Sequence, residues 1–174
     1  MWCALTRLGV IGHRDISEDS EPIIEAILRR LLVAKGGSRL VGVTCLAPGA
    51  DQLFAQTVLN LDGRLEVILP AADFRDCHVP LDNLDAFDRL VKSAVSVRVM
   101  EFQQCCRQAY MAAGTAMLHT VETLVAVWDG RPARKPGGVS EVVGAAARLG
   151  LPTSIIWPPG AARAPRPCAA AGVS

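Results

Sequence analysis

Leu124-Val125-Ala126-Val127-Trp128-Asp129-Gly130-Arg131-Pro132-Ala133-Arg134-Lys135-Pro136-Gly137-Gly138-Val139-Ser140-Glu141 joins three kinds of chemistry in one run. The apolar, partly β-branched segment Leu124 to Trp128 has the length and composition of a buried parallel strand. Asp129 and Gly130 end it, and Arg131, Arg134 and Lys135 make the next segment basic. Pro136-Gly137-Gly138 then leads into Val139, Val142, Val143, Ala146 and Leu149, apolar positions at helical spacing. A strand, a glycine-rich basic loop and a helix therefore succeed one another. The first amides of such a helix are unpaired, and glycines let an anion approach the backbone, so the stretch has the makings of a phosphate or carboxylate site. An ordinary βα connection has the same outline, so other strand ends must be read beside it.

Two further strands end in a comparable way. Thr6 to Ile11 breaks at Gly12-His13-Arg14-Asp15, which sets an imidazole, a guanidinium and a carboxylate at a strand's carboxyl end. In an open parallel sheet that edge is where ligands bind. Arg14 suits a bidentate grip on phosphate or carboxylate, and His13 can exchange a proton near neutral pH. The alternative is that Arg14 and Asp15 pair with each other or cap the next helix. Leu40 to Cys45 runs into Leu46-Ala47-Pro48-Gly49-Ala50-Asp51, and Leu53, Phe54, Thr57, Val58 and Leu61 continue as a helix. Asp51 has two roles open to it: complementing the helix dipole, or accepting from ribose hydroxyls.

The rest of the chain fills in a scaffold. Ile23, Ile24, Ile27, Leu28, Leu31 and Leu32 mark a helix that opens after Ser20 and closes at Gly36-Gly37. Leu65 to Leu69 reads as a third strand, Ala71 to Asn83 as a long polar loop, and Leu84 to Val91 as a short helix. Ser96 to Met100 reads as a fourth strand and Thr153 to Trp157 as the last. A long helix from Gln103 to His119 carries Ala109, Ala112, Ala113, Gly114 and Ala116, small enough to admit another backbone, either the sheet's or that of a second copy. Tyr110 on that helix is placed either to stack on a base or to pack. Residues 161–174 are Ala, Pro and Arg with few large apolar side chains, and the expectation is a disordered tail from 159.

Strands and helices alternate, which implies right-handed crossovers. The expected fold is α/β, a Rossmann-like open parallel sheet with helices on both faces, formed by one domain over residues 1–158. The three strand-end loops then share one rim, and their convergence points to a phosphate-bearing small ligand.

Composition excludes other classes. With 174 residues and a formal net charge of +1, the chain has a core-sized apolar content but no cationic excess to argue for duplex nucleic acid. No apolar run approaches a membrane span, and Met1 to Ile11, interrupted by Arg7, reads as a first strand instead of a signal peptide. The six cysteines form no CxxC pair, and adjacent Cys77 and His78 are poorly placed to chelate one zinc. Free thiols in a reducing cytoplasm, with no metal and no cofactor, are the expectation.

Taken together, Gly12-His13-Arg14-Asp15, Leu46-Ala47-Pro48-Gly49-Ala50-Asp51-Gln52, and Ala126-Val127-Trp128-Asp129-Gly130 with Pro136-Gly137-Gly138 resemble the small bacterial members of the SLOG superfamily. That group comprises the Rossmann-like relatives of DNA-processing protein A and of the Lonely Guy phosphoribohydrolases. The resemblance spans about residues 6–158. It implies a fold that binds nucleotides or nucleotide-derived ligands, with some members hydrolysing N-glycosidic bonds, others acting as sensors, and a dimeric habit. The enzymes' Pro-Gly-Gly-x-Gly-Thr signature with its following glutamate is incomplete here. The chain reads Pro136-Gly137-Gly138-Val139-Ser140-Glu141, with Glu141 arriving early.

Three functions are open to such a chain. In a binding module or sensor, Gly137, Gly138 and Ser140 hold phosphate, Arg14 supplies counter-charge, and Asp51 or Asp129 accepts from ribose. Gly12, His13, Asp15, Gly49 and Gly130 complete the rim. In an N-glycosidase, a carboxylate from Asp129, Glu141 or Asp15 stands near the anomeric carbon and His13 protonates the base. The third is a scaffold pairing as a homodimer through the small-residue helix.

Overall fold

In the computed structural model, residues 5–131 and 138–165 are described. β1 (Thr6–Gly12), β2 (Leu40–Thr44), β3 (Arg64–Leu69), β4 (Ser96–Val99), β5 (Thr123–Val127) and β6 (Thr153–Ile156) form one all-parallel sheet in the order β4-β3-β2-β1-β5-β6. The helices between them are α1 (Glu21–Lys35), α2 (Ala50–Asn60), α3 (Phe74–His78), α4 (Leu84–Ser93), α5 (Arg107–Leu118) and α6 (Val139–Arg148). The chain builds outward from β1 to β4, then returns to place β5 on β1's other side. The order reverses between β1 and β5, and in open parallel sheets ligands bind at the carboxyl ends of the strands beside such a point.

Strand alternation sends successive side chains to opposite faces. Leu8, Val10, Val125 and Val127 meet α1 and α2 through Ile24, Leu28, Leu32, Phe54 and Val58. Val41, Val43 and Leu124 face the other way, onto Ala113, Met117, Val142 and Ala146 of α5 and α6. Ile24, Leu28 and Leu32 are wholly buried, each contributing about 1.5–3 kcal/mol by burial alone. A third cluster joins Leu65, Val67 and Leu69 to Phe74, Phe87 and Leu90. The α/β sheet covered on both faces is the fold read from the sequence.

Three expectations change in detail. The long loop after β3 contains α3 and a 3-10 turn, Leu81–Asn83, because Phe74 and Val79 are buried in the third cluster. Helix α5 starts at Arg107 and not at Gln103. The carbonyls of Phe102 and Gln103 accept from Ala72 and Asp73, and these tertiary bonds hold the preceding residues out of the helix. Most of the small face of α5 packs within the protomer. Ala109, Ala113 and Gly114 are buried, and a Cβ on Gly114 would stand 3.3 Å from Val142. Much of that face, the motive for a homodimer, is thus covered by this chain's own sheet and α6, while Ala112 and Ala116 are only partly buried.

Beyond β6 the chain does not leave the body at once. Ile16 and Arg163 form an antiparallel bridge, Ser17 N–H donates to the Ala162 carbonyl at 3.0 Å, and Ala164 N–H donates to that of Asp15 at 2.6 Å. The stretch read as a tail from 159 thus begins with a docked segment; residues 166–174 lie outside the described residues. No helix among the described residues is long and apolar enough to cross a membrane.

Candidate functional site

The rim is built by close packing of the β1, β2 and β5 ends. His13 N–H donates to the Val127 carbonyl (3.1 Å), and Ala50 N–H, at the start of α2, donates to the His13 carbonyl (3.1 Å). Gly12 permits this approach: a Cβ there would lie 2.4 Å from that of Ala50 and 2.9 Å from Val127. Gly49, at φ 82°, is more constrained, since its Cβ would fall 2.6 Å from the backbone oxygens of both His13 and Arg14. These glycines serve the contact between loops, which brings the first and second motifs together.

His13 is buried, with its Nε2 3.0 Å from Oδ1 of Asp129 and its ring edge-on to Trp157 at 5.3 Å. The Asp129 N–H also lies 3.3 Å from Nε2. One nitrogen cannot both donate to the carboxylate and accept from the amide, and the shorter contact favours donation to Asp129. Burial pushes the Asp129 carboxyl up, but the Arg131 N–H and His13 outweigh it, leaving the carboxyl below its ordinary range. Histidine and aspartate therefore tie β1 to β5 and leave little of His13 for proton transfer to a ligand.

Arg14 and Asp15 do not pair with each other. Asp15 takes a bidentate grip from Arg163, at 3.0 and 2.9 Å, which fastens the docked segment. Arg14 turns the other way, donating to the hydroxyl of Tyr110 at 3.2 Å with its guanidinium 5.5 Å from that ring's centre. Burial pushes the Tyr110 phenol up, with Arg14 only partly offsetting it, so the partner is a neutral hydroxyl. Among the described residues no carboxylate lies within ion-pair distance of Arg14, which is exposed at the rim.

Asp51 lies beneath the β2–α2 turn. Its Oδ2 accepts from Ala47 N–H at 3.3 Å, while Oδ1 is buried without a hydrogen-bond partner. Burial drives its carboxyl up to about 7, against the pull of Ala47 N–H and the Arg14 charge. With the residue 2% exposed, neither oxygen is presented to a ribose on the surface. Thr44 and Gln52 share the work on this turn. Thr44 Oγ1 accepts from Leu46 N–H (3.0 Å), and Gln52 Nε2 donates to the Leu46 carbonyl (3.3 Å) and to Asn83 (2.7 Å). They hold Leu46 at φ 55°, a conformation rare for a branched side chain. The roles of Thr44 and Gln52 in holding the turn were not read from the sequence, although Gln52 closes the quoted motif and Thr44 lies two residues before it.

The third loop is described in part. Gly130 follows Asp129 at an exposed turn, Gly138 is the N-cap of α6, and Ser140 lies in its first turn; Gly137 lies outside the described residues. Glu141 accepts from Arg107 of α5 at 3.2 Å. Helix α5 therefore touches both sides of the rim, Arg14 through Tyr110 and α6 through Arg107. A groove lined by Gly49, Gln52, Asn83 and Arg89 lies between α2 and α4.

No protein-family model matches the chain, and no curated protein matches it in sequence. Solved structures do share its fold. DNA processing protein A from Streptococcus pneumoniae superposes with a TM-score of 0.63 over 87% of this chain at 16% identity. The chain spans half the length of that protein. DNA processing protein A from Helicobacter pylori, described in a single-stranded DNA binding mode, gives 0.65 at 14% identity, covering 92% of this chain and 69% of its own. The molybdenum cofactor binding protein from Rippkaea orientalis gives 0.58 at 16% identity, with 89% and 77% covered. The first two bear the name around which the motif resemblance is drawn, and the likeness is one of fold.

Proposed function

We propose that the chain is a binding module for a phosphorylated nucleotide or nucleotide-derived small molecule, held at the rim between the β1 and β5 ends. The observation that carries this reading is Arg14: an exposed guanidinium beside the sheet's reversal point, positioned by a neutral phenol and free of a described carboxylate. Such a cation is ready for an anion, with the glycine-led start of α6 at Gly138 as the proposed donor for its other side. Gly137, in the same motif, belongs to the proposed phosphate loop. Asp129, just past the end of β5, is the acid proposed to accept from a ribose hydroxyl, and Asp51 acts through the turn that Gly49 and Ala47 build.

N-glycosidic hydrolysis is the weaker reading. Its three candidate carboxylates are engaged elsewhere: Asp15 with Arg163, Glu141 with Arg107, Asp129 with His13. Two fold neighbours are described as binders, one of the molybdenum cofactor and one of single-stranded DNA. They support binding over catalysis without choosing the ligand. A net charge of +1 favours a small anion over a polyanion. The proposal involves no pairing through α5, most of whose small face is buried.

Calorimetric titration with nucleoside mono-, di- and triphosphates, their nucleosides and a single-stranded oligonucleotide tests the reading. A nucleotide should bind well above its nucleoside, with no free base released on incubation. Tighter binding of the oligonucleotide than of any mononucleotide, or release of base, would replace the proposal with the corresponding alternative.

A further inference from the structure

At the other end of the same rim, the loops after β3 and β4 are fastened to each other. Beyond the paired strands, Met100 N–H donates to the Leu69 carbonyl (2.9 Å), Ala72 N–H to that of Phe102 (2.9 Å) and Asp73 N–H to that of Gln103 (3.3 Å). Asp73 occupies the N-cap of α3, a position where aspartate ordinarily accepts from the helix's own amides, yet its side chain makes no cap bond. Instead its Oδ1 accepts from Cys105 N–H at 2.8 Å across the two loops. That bond orients the carboxylate and sets it beside the cysteine.

His78, at the last turn of α3, completes the arrangement. Its ring stacks on Phe74 (6.2 Å, 17° between planes) and meets Tyr110 edge-on (6.1 Å, 86°). One carboxylate oxygen, one imidazole nitrogen and the thiol sulfur of Asp73, His78 and Cys105 lie within 4.8 Å of one another, all partly buried. Around a tetrahedral ion at ordinary Zn–N and Zn–S distances, ligand atoms stand about 3.3–3.8 Å apart. A closure of about 1 Å, within the range of side-chain rotation, forms the first coordination sphere.

We propose that Asp73, His78 and Cys105 bind a zinc-like divalent transition metal through three protein ligands, leaving a fourth position open. The mixed oxygen, nitrogen and sulfur donors suit a borderline-soft ion and not calcium or magnesium. Binding replaces the thiol proton of Cys105 with the metal, and the proton passes to solvent. The Cys105 N–H bond to Asp73 and the Phe74 and Tyr110 faces around His78 act as the outer shell that orients the ligands. Sequence reading set His78 beside its neighbour Cys77, which is exposed; the fold supplies Asp73 and Cys105 from other positions. Tyr110 touches both His78 and Arg14, so the metal stands one side chain from the proposed anion site. The metal proposal is independent of that site.

Titration of the reduced full chain with cobalt(II), read by absorption, tests it, with zinc as competitor. One equivalent should bind with a thiolate-to-cobalt band, and zinc should abolish that band. Cys105→Ser should remove the band. His78→Gln and Asp73→Asn should each weaken cobalt at least about tenfold, the scale on which even outer-shell partners act. Cys77→Ser and Cys106→Ser should leave the band intact. Circular dichroism of each metal-free variant checks folding, and the partly exposed His78→Gln carries the test if Cys105→Ser fails to fold. Absence of a thiolate band in the wild type, its survival in Cys105→Ser, or its loss in Cys77→Ser would overturn the proposal.

Discussion

Replacing Asp51 with asparagine should shift stability in the variant's favour as pH rises. The native carboxyl sits at about 7 and the ordinary aspartate value is 3.8. Because the folded value is the higher one, the native state keeps a proton that the unfolded chain releases, and the wild type loses stability as pH rises between them. Below 3.8 both states are protonated and nothing is lost; above about 7 both are ionised and the loss is complete. The interval is about three pH units, and at about 1.4 kcal/mol per unit the total is about 4 kcal/mol. Asparagine has no proton to lose, and its carbonyl can still accept from Ala47 N–H. Its amide, placed where Oδ1 has no partner, adds a cost that does not vary with pH. Urea unfolding of both proteins at pH 4, 5, 6, 7 and 8 should show the stability difference moving toward Asp51→Asn by about 1.4 kcal/mol per pH unit, then flattening near 7. A difference that stays level, or moves toward the wild type, would mean that Asp51 is ionised and well bonded, and the reasoning from its burial would fail.

Other perturbations test the rim. Arg14→Ala should weaken a phosphorylated nucleotide by about 1.5–3 kcal/mol, the range for a hydrogen bond to a charged group, and leave the nucleoside nearly unchanged; equal losses in calorimetry would assign the arginine to the base or the fold. Gly138 has an ordinary φ of −83° at the N-cap of α6, so Gly138→Val should lower the melting temperature by only about 2–4 °C, the loss of a favourable cap residue, and reduce nucleotide binding by blocking approach to the α6 amides. Gly49→Ala should cost more than about 3 kcal/mol in urea unfolding, since left-handed strain is joined by overlap with the fixed oxygens of His13 and Arg14. Arg163→Ala removes a partly exposed but bidentate pair worth about 1 kcal/mol. It should speed hydrogen exchange at Ser17 and Ala164, whose amides hold the docked segment, before it affects β1.

What was legible in the residues was whatever repeats locally. Apolar runs such as Leu124–Val127, helical spacing in Ile24, Leu28 and Leu32, and glycines at strand ends each reflect contacts within a few positions of themselves. The alternating order of these elements then implies the parallel sheet through the handedness of crossovers. Motifs at Gly12, Gly49 and Asp129 were visible for the same reason, and the sheet does bring them together. Their individual roles were not visible, because a side chain's partner depends on which distant segment packs against it. Arg14 could have paired with Asp15 next door, but the return of α5 over the sheet offers Tyr110 and the segment after β6 offers Arg163. Asp51 reads alike as a surface acid or a buried one; the turn closing over it decides, and with it the elevated carboxyl. The Asp73, His78 and Cys105 group could not be seen at all in one dimension. Its members meet because neighbouring parallel strands end together and their loops exchange backbone hydrogen bonds, a consequence of register that no local pattern records.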